Sequence, residues 1–391
     1  MTILPPADWF DAPDNRALAA ALGPDAVRWV GGAVRDTLLR LPVKDVDAAT
    51  LHLPETVIEK CTAAGIRTVP TGIAHGTVTA VLPDGPVEVT TLRKDVATDG
   101  RRATIAFAQD WRDDAARRDF TINALYVHPE TGELDDFFGG LDDLVARRVR
   151  FIGDAAQRIR EDHLRILRYF RFQARFGAEI DEEAETACSD LAETLKGLSR
   201  ERVAMELLAI LGLPDPAPVI KRMAELGVLR VILPESTMNE SGVLTMLVAA
   251  ERRERVAGDP VRRLAALLPP LPPVAQAIAA RLRLSRAQRQ RLVTAAERNP
   301  HDTEAPRALA YREGREAAVD RLLLANGSLN ALTNWDTPQL PLKGGEIVER
   351  GLATGAGVAR LLQMVEARWI AEGFPDRARV LALLDEVARE S

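Results

Sequence analysis

The sequence predicts an α+β head built on a mixed sheet, followed by a chain that is entirely helical. Up to about Leu92, short runs rich in β-forming residues alternate with helical patterns and with glycine or proline breaks. Beyond Phe176, one helical pattern follows another between prolines and glycines, without a fixed-period repeat. We expect a head over 1–148, a helical neck over 149–235 and a helical body and tail over 236–391.

Composition limits the class of protein. The chain of 391 residues is 47% hydrophobic and 28% charged, which is ordinary for a soluble globular protein of several domains. Cys61 and Cys188 stand far apart without metal-ligand spacing, so we expect no disulfide framework, no zinc site and a reducing, cytoplasmic environment. The first residues lack a signal-peptide pattern, and no apolar run is long enough to span a membrane.

The first part of the head is the stretch VRWVGGAVRDTLLRLPVKDVDAAT at 27–50. Its β-forming runs, glycine pair and helical apolar spacing predict four local elements, and Pro42 ends the helix. In order they are a strand over 27–30, a turn at Gly31 and Gly32, a helix over 33–41 and a strand over 45–49.

Asp45 and Asp47 lie two residues apart at the second strand, so their carboxylates project from one face, about 6 to 7 Å apart at Cα. Two such charges repel each other unless a cation lies between them, and Mg²⁺ takes carboxylate and phosphate oxygens as ligands. Gly31 and Gly32 would let phosphate approach the backbone at the start of the helix, where Arg35 could neutralise it. The pattern favours a site for Mg²⁺ and a nucleoside triphosphate over a plain turn followed by a surface Asp-x-Asp pair.

The strings GGAVRDTLL and KDVDAAT together resemble the first motif of the class II tRNA nucleotidyltransferase and bacterial poly(A) polymerase family. The head of that family belongs to the DNA polymerase β superfamily. The resemblance implies a polymerase β-type nucleotidyltransferase head in which Asp45 and Asp47 are catalytic metal ligands. Arg40 stands where the family usually has a glycine, at the helix end and distant in sequence from the carboxylates.

The rest of the head begins with a predicted helix over 54–64 and predicted strands over 66–69, 76–82 and 87–92. Glu88 lies on the opposite strand face from Val87 and Val89, which by itself indicates a solvated residue. PVEVTTLR resembles the family's third carboxylate strand, which implies that Glu88 helps to deprotonate the attacking hydroxyl. Residues 94–109, with a charged turn at Gly100, predict a loop between strands.

RRDFTINAL at 117–125 matches the family's second motif. The resemblance implies that Arg118 holds the triphosphate or its sugar and that Asp119 orients it. The alternative is a capped helix start with an exposed basic pair. LDDFFGGLDDL at 134–144 also resembles the family and ends the head.

EDHLRILRYFR at 161–171 predicts a helix on which Asp162, Arg165, Arg168 and Arg171 form one polar row. By spacing alone, Asp162 and Arg165 are an i,i+3 ion pair. The stretch resembles the family motif whose Asp and Arg meet the Watson–Crick edge of the incoming nucleotide. A carboxylate accepts from the exocyclic amine of cytosine or adenine, whereas uracil and guanine present the opposite pattern. Arg168 and Arg171 could add phosphate contacts.

An RNA partner is consistent with the charge distribution. Nine arginines lie within 147–175 although the net charge is −6, and GLSRERVAMELLAIL at 197–211 resembles the family's RNA-binding neck. We therefore expect an RNA nucleotidyltransferase that works without a nucleic-acid template, adds CCA to tRNA 3′ ends from CTP and ATP with Mg²⁺, and needs no membrane or protein partner. The alternatives are a bacterial poly(A) polymerase, a CC-only or A-only adding enzyme and, from another class, a non-catalytic RNA-binding protein on a polymerase-type fold.

Overall fold

The structure is a computed structural model that describes residues 2–99 and 102–390. The chain divides into two compact units, Met1–Pro234 and Glu235–Ser391. The strands of the described residues all lie in the first unit, and the second unit is helical. This arrangement confirms the predicted α+β head followed by an all-α region.

The strands form one mixed sheet and one separate ribbon. They are β1 (Val27–Val30), β2 (Val46–Thr50), β3 (Arg67–Gly72), β4 (Thr77–Leu82), β5 (Gly85–Thr91), β6 (Arg93–Asp99), β7 (Arg102–Phe107), β8 (Leu125–Val127) and β9 (Leu134–Asp136). The sheet has the order β3-β4-β5-β2-β1-β8-β9, and β6 pairs with β7. Strands β2 and β5 are parallel, whereas β1 pairs antiparallel with both β2 and β8.

The helices of the first unit begin before the first strand of the sheet and continue beyond its last strand. They are α1 (Asp8–Asp11), α2 (Pro13–Leu22), α3 (Gly32–Leu38), α4 (Pro54–Ala63), α5 (Trp111–Ala116), α6 (Gly140–Ala146), α7 (Ala155–Glu161), α8 (Arg165–Phe176), α9 (Glu182–Asp190), α10 (Arg200–Leu211), α11 (Ala217–Glu225) and α12 (Val228–Ile232). Side-chain caps start several of them: Asp154 accepts from Gln157 N before α7, and Ser199 accepts from Arg202 N before α10.

The helices of the second unit are α13 (Met238–Arg253), α14 (Pro260–Ala266), α15 (Pro272–Arg281), α16 (Arg286–Ala296), α17 (Pro306–Glu313), α18 (Arg315–Leu324), α19 (Gly344–Glu349), α20 (Ala356–Ala371) and α21 (Arg377–Glu390). None of the helices in the described part of the chain has the length and apolar character needed to cross a membrane.

Two predictions of local structure were wrong. The predicted helix over 161–171 is broken, because α7 ends at Glu161, Asp162 is extended and α8 begins only at Arg165. The predicted loop over 94–109 instead contains most of β6 and β7, while Gly100 and Arg101 lie outside the described residues. Helix α3, which was predicted over 33–41, runs from Gly32 only to Leu38, and Arg40 after it has a φ of 56°.

Candidate active site

Two predicted catalytic carboxylates lie side by side on parallel strands. Asp47 on β2 is the register partner of Glu88 on β5, and Asp45 precedes β2 by one residue. Burial raises the pKa of Asp47, the negative charges of Glu88 and Asp45 raise it further, and Arg118 partly offsets them. The like charges make ionised Asp47 unfavourable, and a bound cation would relieve that repulsion.

The backbone at Gly31 lies close to the carboxylate of Asp47. Its φ of 76° and ψ of −125° lie in a region that is essentially restricted to glycine. A Cβ atom at this position would lie 3.6 Å from Nη1 of Arg118 and 3.9 Å from Oδ2 of Asp47. The turn therefore places Gly31, Asp47 and Arg118 together, and the next residue, Gly32, starts α3.

Arg118 is held in place by an aromatic hydroxyl and a buried carboxylate. Its Nε donates to Oη of Tyr126 at 2.9 Å, and its Nη2 donates to Oδ2 of Asp114 at 3.2 Å. Arg117 and Arg118 follow the C-terminal end of α5, so the alternative of a capped helix start was wrong. The contacts leave the Arg118 side chain 20% exposed, which allows contact with a ligand.

Arg35 is buried inside the head. Its Nε donates to Oδ1 of Asp36 at 2.8 Å and its Nη1 donates to Oδ1 of Asn123 at 2.6 Å. Its guanidinium carbon also lies 4.5 Å from the ring centre of Phe176. A direct contact with phosphate stays a prediction, and the observed contacts favour a role of Arg35 in positioning Asn123.

A chain of hydrogen bonds leads from Asn123 to the polar row of α8. Asn123 Nδ2 donates to Oδ1 of Asp119 at 3.0 Å, and Oδ2 of Asp119 accepts from Nε of Arg168 at 2.8 Å. Burial by itself would raise the pKa of Asp119, but the positive charge of Arg168 and these hydrogen bonds lower it. Asp119 is thus kept ionised while only 8% exposed.

Arg171, further along α8, contacts helix α10. Its Nε donates to Oε2 of Glu206 at 2.7 Å, and Glu206 lies 3.9 Å from Arg168 as well. Both arginines lie beside the ring of Phe172, at 5.5 Å for Arg168 and 4.9 Å for Arg171. They are both paired within the first unit, so phosphate contact by either stays a prediction.

Asp162 lies in the break between α7 and α8 and is not ion-paired with Arg165. Its Oδ1 accepts from the backbone N of Leu164 at 3.1 Å, and its Oδ2 accepts from Nη2 of Arg202 on α10 at 2.8 Å. The i,i+3 pair with Arg165 that spacing alone indicates is therefore absent, and Asp162 contacts another helix instead. The side chains of Asp162 and Arg202 are each 33% exposed, so a ligand can reach the carboxylate.

Arg165 is oriented by three acceptors. Its Nη1 donates to Oε2 of Glu161 at 2.8 Å and to the Arg158 carbonyl at 3.0 Å, and its Nη2 donates to the Arg117 carbonyl at 2.9 Å. A guanidinium has five N–H donors, so Nε–H and one Nη2–H remain beyond these contacts. Because Arg117 directly precedes Arg118 and Asp119, this bond ties Arg165 to the second head motif.

The structure thus brings the predicted residues into three adjoining groups. The first is the carboxylates with Arg118 at the Gly31 turn, the second is Asp119 with the arginines of α8, and the third is Asp162 with Arg165. Sequence reasoning missed the residues that hold them, which are Asp114, Asn123, Glu161, Arg202 and Glu206. Asn123 and Glu161 stand inside the motifs RRDFTINAL and EDHLR, so their polar side chains within otherwise predicted sites were an available signal. Arg202 and Glu206 offered only their i,i+4 spacing on a helix, which is common on solvated faces.

Asp47 and Glu88 form a pair of carboxylates, and Asp45 is a third acid nearby. These side chains alone are not a complete set of metal ligands. Among the residues that the structure describes, no group of three or more His, Cys, Asp or Glu side chains is arranged to hold a metal ion. Mg²⁺ is usually bound by one or two carboxylates together with substrate phosphates and water, so a small donor set is compatible with it. Burial is the main cause of the raised pKa of Asp47, and the repulsion from Glu88 and Asp45 that adds to it is what a divalent cation would remove.

Comparison with known proteins identifies the class. The family model "Poly A polymerase head domain" matches residues 27–150, and "Probable RNA and SrmB- binding site of polymerase A" matches 177–239. The chain is 36% identical over 363 residues to CCA tRNA nucleotidyltransferase 1, mitochondrial, of Danio rerio, covering 88% of this chain and 83% of that protein. The human protein of the same name is 34% identical over 370 residues, covering 89% and 83%.

Solved structures agree with the sequence relatives. The Bacillus stearothermophilus CCA-adding enzyme, in a crystal structure with CTP, matches with a TM-score of 0.73 and 26% identity over 97% of this chain and 98% of that one. The fold and the carboxylate group define a nucleotidyltransferase with a polymerase-type head. Within that class, the chain belongs to the CCA tRNA nucleotidyltransferase family.

Proposed function

We propose that this chain adds CCA to the 3′ end of tRNA, using CTP and ATP and releasing pyrophosphate. The proposal is carried by the group formed by Asp47, Glu88 and Arg118 against the Gly31 backbone, in a chain whose relatives are named for this activity. Relatives that share the fold have been solved with CTP, with ATP and with tRNA, which supports the same ligands here.

Each group of residues has a role in that reaction. Asp45 and Asp47 would hold Mg²⁺, which supplies charge stabilisation for the attacking and leaving oxygens when it is bound. Glu88, which is exposed beside Asp47, would accept the proton of the tRNA 3′ hydroxyl. Arg118, beside the turn at Gly31, would bind the triphosphate.

The base would be selected by protein side chains rather than by a template strand. Asp162 can accept from the exocyclic amine of cytosine or adenine, and the two remaining N–H groups of Arg165 can donate to the ring nitrogen or carbonyl. Both side chains keep hydrogen-bonding capacity after their protein contacts are counted. The cytoplasmic location also stays a prediction, supported by the free, buried thiols of Cys61 and Cys188.

Incubation of the purified protein with tRNA transcripts that end before, within and after CCA tests the proposal. Each labelled nucleotide is offered singly, and we expect CTP and then ATP to be added, with no addition after the final A. Long adenosine tails would indicate a poly(A) polymerase, and addition limited to C or to A would indicate a partial enzyme.

The carboxylate assignment has its own control. Asp47→Asn should reduce turnover to a few per cent or less while tRNA binding is nearly unchanged, since the carboxylate serves chemistry rather than RNA contacts. Asp84→Asn, at an exposed turn after β4, should remain active. Turnover close to that of the unmodified protein in Asp47→Asn would contradict the assignment.

A further inference from the structure

Helix α10 presents two charged side chains, one turn apart, to residues proposed to bind the nucleotide. Arg202 contacts Asp162, and Glu206 contacts Arg171 and approaches Arg168. The two α10 residues are four apart, so they lie on one face of the helix. The α10 face that carries Arg202 and Glu206 therefore contacts both the break between α7 and α8 and helix α8 itself.

The side chain of Asp162 is oriented by fewer contacts than that of Arg165, so its orientation depends more on a residue from another helix. Its backbone is extended at the helix break, with φ −147° and ψ 105°, so no helical turn restricts its side chain. Arg165 is oriented by three acceptors, whereas the Asp162 carboxylate has one backbone donor and one side-chain donor. Of these two donors, Arg202 is the one that comes from another helix.

The contact with Arg202 leaves the carboxylate able to bind a base. Two carboxylate oxygens offer about four acceptor sites, and the two described hydrogen bonds occupy one on each oxygen. A carboxylate has no N–H group and can only accept hydrogen bonds when it is ionised. In this orientation the Asp162 carboxylate would accept from an amine and would repel the carbonyl oxygens of uracil and guanine.

We infer that Arg202 is a positioning residue for nucleotide selection, holding the Asp162 carboxylate in the orientation that distinguishes amine-bearing from carbonyl-bearing bases. The inference rests on the proposed base-selecting role of Asp162. It assigns to α10 a part in the choice of CTP and ATP over UTP and GTP.

The test is a double-mutant cycle with all four nucleotides. The quantity measured is kcat/KM for CTP, ATP, UTP and GTP, on tRNA that ends just before the first C, in Asp162→Ala, Arg202→Ala and the double variant. Arg202→Ala should reduce the preference for CTP over UTP about ten- to a hundredfold, the range expected for one charge-assisted contact. The double variant should be no less selective than Asp162→Ala.

Further variants separate positioning from general stability. Arg202→Lys keeps the charge and should restore part of the selectivity, whereas Arg202→Gln keeps much of the shape and should not. Arg200→Ala, two residues earlier on α10, should leave the order of the four nucleotides unchanged; Arg200 has no ion pair among the contacts of the described residues. Thermal melts establish that each variant is folded, and Arg202→Gln replaces Arg202→Ala if the latter is not.

The possible results distinguish the two proposals. If Asp162→Ala leaves the nucleotide order intact, the base-selecting role of Asp162 fails and the inference fails with it. If Asp162→Ala removes the preference but Arg202→Ala and Arg202→Gln retain it, only the role of Arg202 is overturned. A common loss for all four nucleotides in the Arg202 variants, or a loss that adds fully to that of Asp162→Ala, also overturns it.

Discussion

Asp114 receives four hydrogen bonds from donors around the active site. The donors are the backbone N of Arg93, Nε of Arg117, Nη2 of Arg118 and Oη of Tyr126. Burial by itself would raise the pKa of Asp114, but the charges of Arg118 and Arg117 lower it to about 2. At 1% exposure, this carboxylate is part of the internal structure that holds Arg118 beside Asp47.

We expect Asp114→Asn to lower the free energy of unfolding by about 2 kcal/mol at pH 7, the value that corresponds to the lowered pKa. Because the folded pKa lies below that of an unfolded Asp, the stabilisation is complete above about pH 4 and is lost as the pH falls towards 2. Denaturant unfolding from pH 7 to pH 3 should show a difference between the two proteins that shrinks with acidification.

The neighbouring residue offers a matched control for this prediction. Asp113 is exposed on the same helix, and Asp113→Asn should change stability by less than about 0.5 kcal/mol at any of these pH values. An Asp114→Asn difference that does not depend on pH would show that shape, rather than charge, accounts for the stabilisation.

Four helices of the second unit are joined by buried charges. Asp320 on α18 accepts from Nε of Arg262 on α14 at 3.0 Å and from Nε of Arg291 on α16 at 2.6 Å. Glu251 on α13 accepts from Nε of Arg263 at 2.9 Å and lies 3.2 Å from Arg262. Removing one member of such a group leaves its partners charged and buried.

Asp320→Ala should therefore lower the free energy of unfolding of this unit by roughly 3 to 5 kcal/mol. Glu316, also a partner of Arg291 but 71% exposed, provides the control, and Glu316→Ala should cost less than about 1 kcal/mol. The measurement is differential scanning calorimetry of the full chain. Equal shifts of the transition in both variants would contradict the importance of burial.

The two units of the whole chain differ in what they contain. All twelve residues proposed for catalysis and nucleotide binding lie within Met1–Pro234, together with the entire sheet of the described residues. The second unit has cores of its own, one of them around Trp369, Val365 and Leu384. Each unit therefore holds the buried apolar residues needed for an independent fold.

A fragment that ends after Pro234 should fold and bind CTP with a Kd within a few-fold of that of the full chain. Its affinity for tRNA should fall on the order of tenfold or more, because a smaller protein surface meets fewer phosphates. Circular dichroism, calorimetric CTP titration and tRNA binding at fixed salt measure these outcomes. Asp162→Ala in the same fragment is the control for specific CTP binding, and an unfolded fragment would contradict the prediction.

The sequence by itself determined several local elements of the head. The β-forming run before Gly31, the helical spacing after it and the alternation of Val87, Glu88 and Val89 predicted β1, α3 and β5 to within a few residues. These features depend on backbone preferences and on the periods of helix and strand, which neighbouring residues settle among themselves. The same patterns, with the family resemblance, led to the residues proposed for the site.

Tertiary structure alone decided which side chains meet. Asp47 lies beside Glu88 because β2 and β5 pair in parallel, and Asp162 meets Arg202 because the helix breaks and α10 packs behind it. A local pattern carries no information on the order of strands in a sheet or on the helix that packs opposite. Those contacts depend on how distant apolar faces are buried together, and the charged partners follow from that packing.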